Sequence, residues 1–190
     1  MATTTKIIAL CGLMRSGKDT IADYLSDHYG YVNIKIADSL KSSLACMFGF
    51  NRAQLEGASK DEIDARWGIT PRAAMQFFGT EVMQYEIQRL LPHIGRTFWM
   101  SSLTAKMDDS VKYVISDMRF VHEYEYLVSK YDKSNVFVIR VTRPGLTLQQ
   151  CSHQHISEQE FMKIPADAEV LNDDTIESLH QKIESIVNRR

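Results

Sequence analysis

The chain has 190 residues, which suits one domain with a core that needs neither disulfides nor a metal to hold it. With 44% hydrophobic and 24% charged residues and only 9 Gly and 4 Pro, no segment is polar enough to read as disordered, and long linkers are not expected. A formal charge of -2 gives no general basic field, so neither a nucleic-acid partner nor an anionic membrane is expected, and any phosphate must meet a local cluster.

Lys6 to Cys11 is a short apolar run before Gly12, the look of a strand buried on both faces of a parallel sheet. The stretch Ile7 to Met14 is too short for a membrane span and lacks a signal-peptide cleavage pattern. Ile21, Ala22, Leu25 and Tyr29 then recur at helical spacing from Asp19 to Tyr29, closing near Gly30. Tyr31 to Ile36 reads as a second strand, and Leu40, Leu44, Met47 and Phe48 mark a helix capped by Asp38 or Ser39.

The middle, 51–109, is helical in character. Thr70-Pro71 is a strong helix start whose helix could reach Leu91, and Thr97 to Met107 reads as another helix. Strands return at Val111 to Ser116 and Asn135 to Thr142, separated by a helical stretch around Glu123 to Lys130. Ser157-Glu158-Gln159-Glu160 spells a capping box, Ala168 to Leu171 a last short strand, and Asp174 with Glu177 a second box opening a helix through Val187. Five strands alternating with helices predict an α/β sandwich around a five-stranded parallel sheet. The expected organisation is one domain: a core of 1–50 and 110–190, a helical insertion of about 51–109 forming a flap, and a lid of about 143–157.

Cys11, Cys46 and Cys151 are odd in number and form no C-x-x-C pair, which fits free thiols in a reducing, cytoplasmic setting.

Gly12 to Lys18 matches G-x-x-x-x-G-K, the start of a Walker A phosphate loop. It follows a buried strand and opens a helix, so backbone N–H groups and the helix dipole converge where polyphosphate charge is stabilised. Lys18 would lie along the β- and γ-phosphates. Position 19 is Asp where the strict pattern has Ser or Thr for Mg2+, and the hydroxyl follows at Thr20. Asp19 would bind Mg2+ through water, with Thr20 reaching a phosphate, or Asp19 simply complements the helix dipole.

Arg15 to Thr20 (RSGKDT) resembles the phosphate loop of the bacteriophage-type deoxynucleoside monophosphate kinases, a branch of the phosphate-loop nucleoside monophosphate kinases. Four further segments are similar to that family in type and order: Pro71 to Thr80 with Trp99, Ser116 to Arg119 with Glu123, Arg143-Pro144-Gly145, and His155 to Glu158. The chain is shorter than the phage enzymes between its second strand and Thr70.

The resemblance implies ATP-dependent phosphorylation of deoxynucleoside 5′-monophosphates to diphosphates with Mg2+. Gly12, Arg15, Ser16, Gly17, Lys18, Asp19 and Thr20 would bind ATP, with Asp19 and Thr20 toward the metal. Lys18, Arg15, Arg119 and Arg143 would be catalytic. Arg15, Lys41, Arg72, Gly79, Thr80, Trp99, Asp117, Arg119 and Glu123 would hold the acceptor. The partners are then small nucleotides, a homodimer is left open, and the interior of a host cell is the alternative to an ordinary cytoplasm for a viral protein.

The residues themselves leave alternatives open. Asp117 stands where a Walker B acid would, at the end of a strand, and Arg119 and Glu123 would share a helix face as acceptor contacts or as a solvated pair. Gly79 implies close approach, of a base or sugar or of a crossing helix. Trp99 reads either as a core aromatic or as a wall on the sugar that disfavours a 2′-hydroxyl. His153 and His155 face different ways on a helix and read as lid surface. Two other functions share the loop: a kinase of another phosphorylated small molecule, such as phosphomevalonate, and a nucleotide-binding switch without transfer chemistry. Arg72 to Thr80 favours nucleotides over the former. The missing lysine in Asn172-Asp173-Asp174 speaks against a GTPase-type switch.

Overall fold

A computed structural model of the protein describes residues 6–146 and 160–189. The predicted capping box at Ser157, and Cys151, His153 and His155, lie outside the described residues, as does most of the expected lid. The contacts divide the chain into one unit of residues up to 35 together with those from 107 on, and a second unit of residues 36–106.

The first unit is built on one parallel sheet of five strands in the order β2-β3-β1-β4-β5. These are β1 (Ile7–Cys11), β2 (Val32–Ile34), β3 (Tyr113–Met118), β4 (Val136–Thr142) and β5 (Ala168–Leu171). β1 lies at the centre, with Ile7 paired to Tyr113 on one side and to Val136 on the other. All five of its residues are buried, as the unbroken apolar run demands of a strand covered on both faces. Helix α1 (Lys18–Tyr29) and the C-terminal α7 (Ile176–Val187) supply Ile21, Leu25, Leu179 and Ile183 to the cluster formed with Ile8, Leu10, Val114, Ile139 and Val170. On α6 (Val121–Tyr131), Leu127 is fully buried.

Several boundaries differ from the sequence reading, each for a local reason. β2 is an edge strand paired to β3 over three residues only, so it does not extend from Tyr31 to Ile36. β3 continues past Ser116 because Met118 still pairs with Cys11, which puts Asp117 inside the strand. The final helix is capped by Thr175 and not Asp174, the threonine hydroxyl accepting from the Ser178 N–H.

The second unit contains α2 (Asp38–Phe48), α3 (Arg52–Leu55), α4 (Pro71–Gln76) and α5 (Phe98–Thr104). It takes in α2, which the sequence reading had assigned to the core, because α2 packs on α4 and α5. Neither Asp38 nor Ser39 caps α2; Ala37 precedes it with no side-chain bond, and Ser39 Oγ instead accepts from Lys106 Nζ at 2.7 Å. Leu40, Leu44, Phe50, Leu55 and Ala74 form the core, with Phe48, Phe78 and Trp99 packed around it. Asp64, nearly buried, accepts from Gln54 and Arg66, and that guanidinium holds its carboxyl well below the usual carboxylate range.

The helix expected from Thr70 to Leu91 starts as read, with Thr70 Oγ1 accepting from Ala73 N and Pro71 at the first position. It then changes pitch. Residues Phe77–Tyr85 form a wide π-type helix and Glu86–Arg89 a tight turn of 3-10 helix. Gly79 lies inside the wide stretch: its carbonyl accepts a 2.8 Å bond from the indole Nε1 of Trp99, and its missing Cβ would lie 2.8 Å from Leu40 Cδ2. Trp99→Phe keeps an aromatic ring but loses both the donor and the rest of the indole. It is expected to lower stability in urea unfolding by at least about 1 kcal/mol, the size of the lost bond, with the lost packing in addition; an unchanged midpoint would show that neither contributes.

Candidate active site

The loop between β1 and α1 is shaped by three residues with positive φ: Gly12 at 146°, Arg15 at 67° and Gly17 at 110°. A Cβ on Gly12 would lie 2.2 Å from the Val141 carbonyl oxygen at the end of β4, so only glycine lets the loop leave the sheet this close to its neighbour. Gly17 stands at the N-cap of α1 without a capping side chain, so the first N–H groups of the helix are presented by backbone alone. Ser16 N–H donates to Leu13 O, closing the turn. Lys18 folds back over it, its Nζ donating to Gly12 O at 2.8 Å and Leu13 O at 2.7 Å. The loop thus offers oriented N–H groups, a helix N-terminus and an ammonium group in one place, an anion-binding arrangement.

Four of the five strands end beside this loop. Asp117 and Arg119 come at the end of β3, next to β1; Arg143 follows β4, and its Nη1 lies 3.5 Å from Arg15 O; Asn172 follows β5. Arg15, Arg119 and Arg143 are all exposed, which leaves three guanidinium groups at the carboxyl end of the sheet, where open α/β folds bind ligands.

Glu123 is not the exposed partner of Arg119 that helical spacing suggested. Arg119 precedes α6, and the Glu123 carboxylate turns back to accept from the backbone N–H groups of Arg119 at 2.7 Å and Phe120 at 3.0 Å. It is buried, and burial pushes its pKa up to about 7 against the opposing pull of those two N–H groups. Its role in the structure is to fix the peptide that carries Arg119. Cys11, at the root of the loop, is also buried, and burial pushes its thiol up to about 11.

The acceptor candidates of the second unit divide into partly buried cations and packing residues. Lys41 lies 3.7 Å from Glu56, and Arg72 makes a two-point contact with Asp61 at 2.5 and 3.0 Å. Both are salt-bridged to partners that the sequence reading did not foresee. Gly79 and Trp99 are joined to each other and to Leu40, so the helix-crossing and core alternatives describe their contacts; Thr80 follows Gly79 in the wide turn, partly exposed.

The donor set proposed for Mg2+ is one exposed carboxylate, Asp19, and one partly exposed hydroxyl, Thr20. Asp19 is ion-paired with Lys35 at 2.7 Å, a surface contact worth roughly 0–1 kcal/mol that an incoming phosphate can displace. Among the described residues no cluster of three or more His, Cys, Asp or Glu could hold an ion by itself. Hard oxygens in this number fit an ion carried in by phosphates, since Mg2+ keeps several waters and takes only one or two protein ligands in such sites.

Asn172 was missed as a site residue. Its Nδ2 donates to Ser16 O at 2.9 Å, inside the phosphate loop. Its position directly after an apolar strand was the available signal, because strand ends line the ligand crevice of such sheets.

The pKa of Glu123 gives a pH signature. A carboxyl raised from 4.5 to about 7 on folding contributes stability that is full below 4.5 and lost as pH rises through 7. Glu123→Gln keeps an acceptor for both N–H groups but does not titrate. The Tm of the wild type is therefore expected to fall relative to the variant between pH 4.5 and about 7 and to run parallel above. Parallel curves throughout would contradict it.

Comparison with known proteins agrees with this architecture. The family model "Deoxynucleotide monophosphate kinase" matches residues 6–61 and 50–183. A putative deoxynucleotide monophosphate kinase of Acanthamoeba polyphaga mimivirus is 30% identical over 193 aligned positions, covering 96% of each chain. The deoxynucleotide monophosphate kinase of Enterobacteria phage T4 is 23% identical over 243 positions, covering 95% of this chain and 98% of its own. That alignment is longer than the 190 residues here, so the phage protein carries segments that this chain lacks. Among solved structures, dephospho-CoA kinase from Campylobacter jejuni superposes with a TM-score of 0.51 at 14% identity, covering 97% of this chain and 96% of its own, which speaks to the fold. With a family model spanning nearly its whole length and a viral relative at 30% identity, the chain belongs to the deoxynucleotide monophosphate kinase family.

Proposed function

We infer that the protein transfers the terminal phosphoryl group of ATP to the phosphate of a deoxynucleoside 5′-monophosphate, giving the diphosphate and ADP. The observation that carries this reading is the strained glycine-bearing loop between β1 and α1, with Lys18 poised over it, in a chain of this family.

The backbone of residues 12–20 is assigned to the donor's phosphates, with Lys18 alongside the β- and γ-groups. An acceptor phosphate oxygen attacks the γ-phosphorus while its bond to the bridging oxygen breaks and the electrons pass to ADP. That acceptor oxygen is already anionic at neutral pH, so no strong general base is needed, and catalysis rests on alignment and charge stabilisation. Arg15, Arg119 and Arg143 are assigned to the developing charge, and Asp117 and Arg119 to the acceptor. Glu123 acts on the acceptor indirectly, through the peptide of Arg119. In the second unit, Lys41 and Arg72 are the cations assigned to the acceptor's phosphate, and Gly79, Thr80 and Trp99 are assigned to the acceptor as well. Asp19, through water, and Thr20 would hold Mg2+, which neutralises the donor phosphates when bound.

Two assays test the reading. ADP release with ATP and Mg2+ is expected with deoxynucleoside monophosphates and not with phosphomevalonate. Lys18→Ala is expected to lower kcat at least about a hundredfold in a protein that remains folded, because a lost donor to transition-state charge typically costs that much. Normal turnover in that variant would remove the loop from the mechanism.

A further inference from the structure

We propose that Asn172 is a positioning residue for the donor site: a side-chain clamp that sets the direction of the Gly17 N–H at the head of α1. This rests on the assignment of the loop to ATP phosphates and deepens it.

The geometry begins with one bond. Asn172 Nδ2 donates to the Ser16 carbonyl oxygen at 2.9 Å across 156 residues of sequence. The Ser16–Gly17 peptide is trans, as are all the described peptides, so its C=O and N–H point to opposite sides of one plane. Tying the carbonyl to Asn172 therefore turns the Gly17 N–H away from Asn172. That N–H belongs to the residue that opens α1, where donors lack an intrahelical partner and serve an anion.

The clamp is itself held. The Asn172 backbone N–H donates to Thr142 O at the end of β4, and Lys182 Nζ donates to Leu171 O at 2.8 Å and Asp173 Oδ1 at 2.6 Å, gripping the residues on either side. Asn172 is thus fixed to the sheet and to α7 before it reaches the loop. Gly17 shows the same fit from the other side. A Cβ there would lie 2.5 Å from Asn172 Nδ2, so the amide occupies the space that the glycine leaves.

A carboxamide is needed because the bond requires a donor. Aspartate has the same shape and accepts only, so it would face the Ser16 carbonyl with a like partial charge. Asn172→Asp and Asn172→Ala are compared with the wild type by equilibrium titration with ATP and with a deoxynucleoside monophosphate, alongside Tm. Both variants are expected to bind ATP about tenfold more weakly, the size of one hydrogen bond to stability or binding. The monophosphate affinity should stay within about twofold, and the KM for ATP should rise while the KM for the acceptor does not. A role in general packing would weaken both ligands together or spare Asn172→Asp, and either result overturns the clamp. If the wild type binds ATP and the variants bind it equally well, the clamp falls and the donor-site reading stands. If the wild type does not bind ATP, both fall.

Discussion

The contact on which the rest depends is the approach of Gly12 to the carbonyl of Val141. The central strand β1 must end within reach of β4 and then turn sharply out of the sheet, and a side chain at that point would collide with backbone. Once the chain has turned, Arg15 and Gly17 carry it through further left-handed conformations into α1, and the helix starts with bare N–H groups. A non-glycine residue with positive φ is uncommon, and at Arg15 it marks a backbone shaped for something other than its own stability. The polar contacts follow: Lys18 can fold onto Gly12 and Leu13, and Asn172 can reach Ser16, because the loop has this shape.

The sheet explains why the charges gather there. Parallel strands point their carboxyl ends the same way, so the residues after β1, β3, β4 and β5 are neighbours although the sequence scatters them from 12 to 172. Three exposed arginines concentrate positive charge at that end of the sheet. Beneath the surface charge, the buried carboxyl of Glu123 accepts from the backbone N–H groups of Arg119 and Phe120.

The phosphate loop, the five strands and the cap of Thr70 were legible because each is written in a contiguous pattern: an apolar run, a glycine spacing, a hydroxyl before proline. What stayed hidden depends on pairs distant in sequence. The wide helix after Gln76 contains a backbone carbonyl, that of Gly79, bonded by Trp99 twenty residues further on, a pairing that sequence patterns do not reveal. The salt bridge of Arg72 to Asp61 was hidden because the two lie eleven residues apart, beyond any helical spacing. Glu123 read as an acceptor contact or as half of a solvated pair because four-residue spacing assumes that Arg119 is helical, and it is not. Asn172 was dismissed for what its neighbours lacked, whereas its significance lies in the strand it follows.

The burial of Cys11 has a chemical consequence at the root of the loop. Only the thiolate attacks disulfides, alkylating reagents or oxidants, and burial, which pushes this thiol up to about 11, disfavours it. Lys18 and Arg140 nearby favour the anion, but the loss of water outweighs them. Cys46, on α2, is exposed. Of these two thiols, a labelling reagent therefore reports on the helical unit and leaves the root of the phosphate loop unmarked.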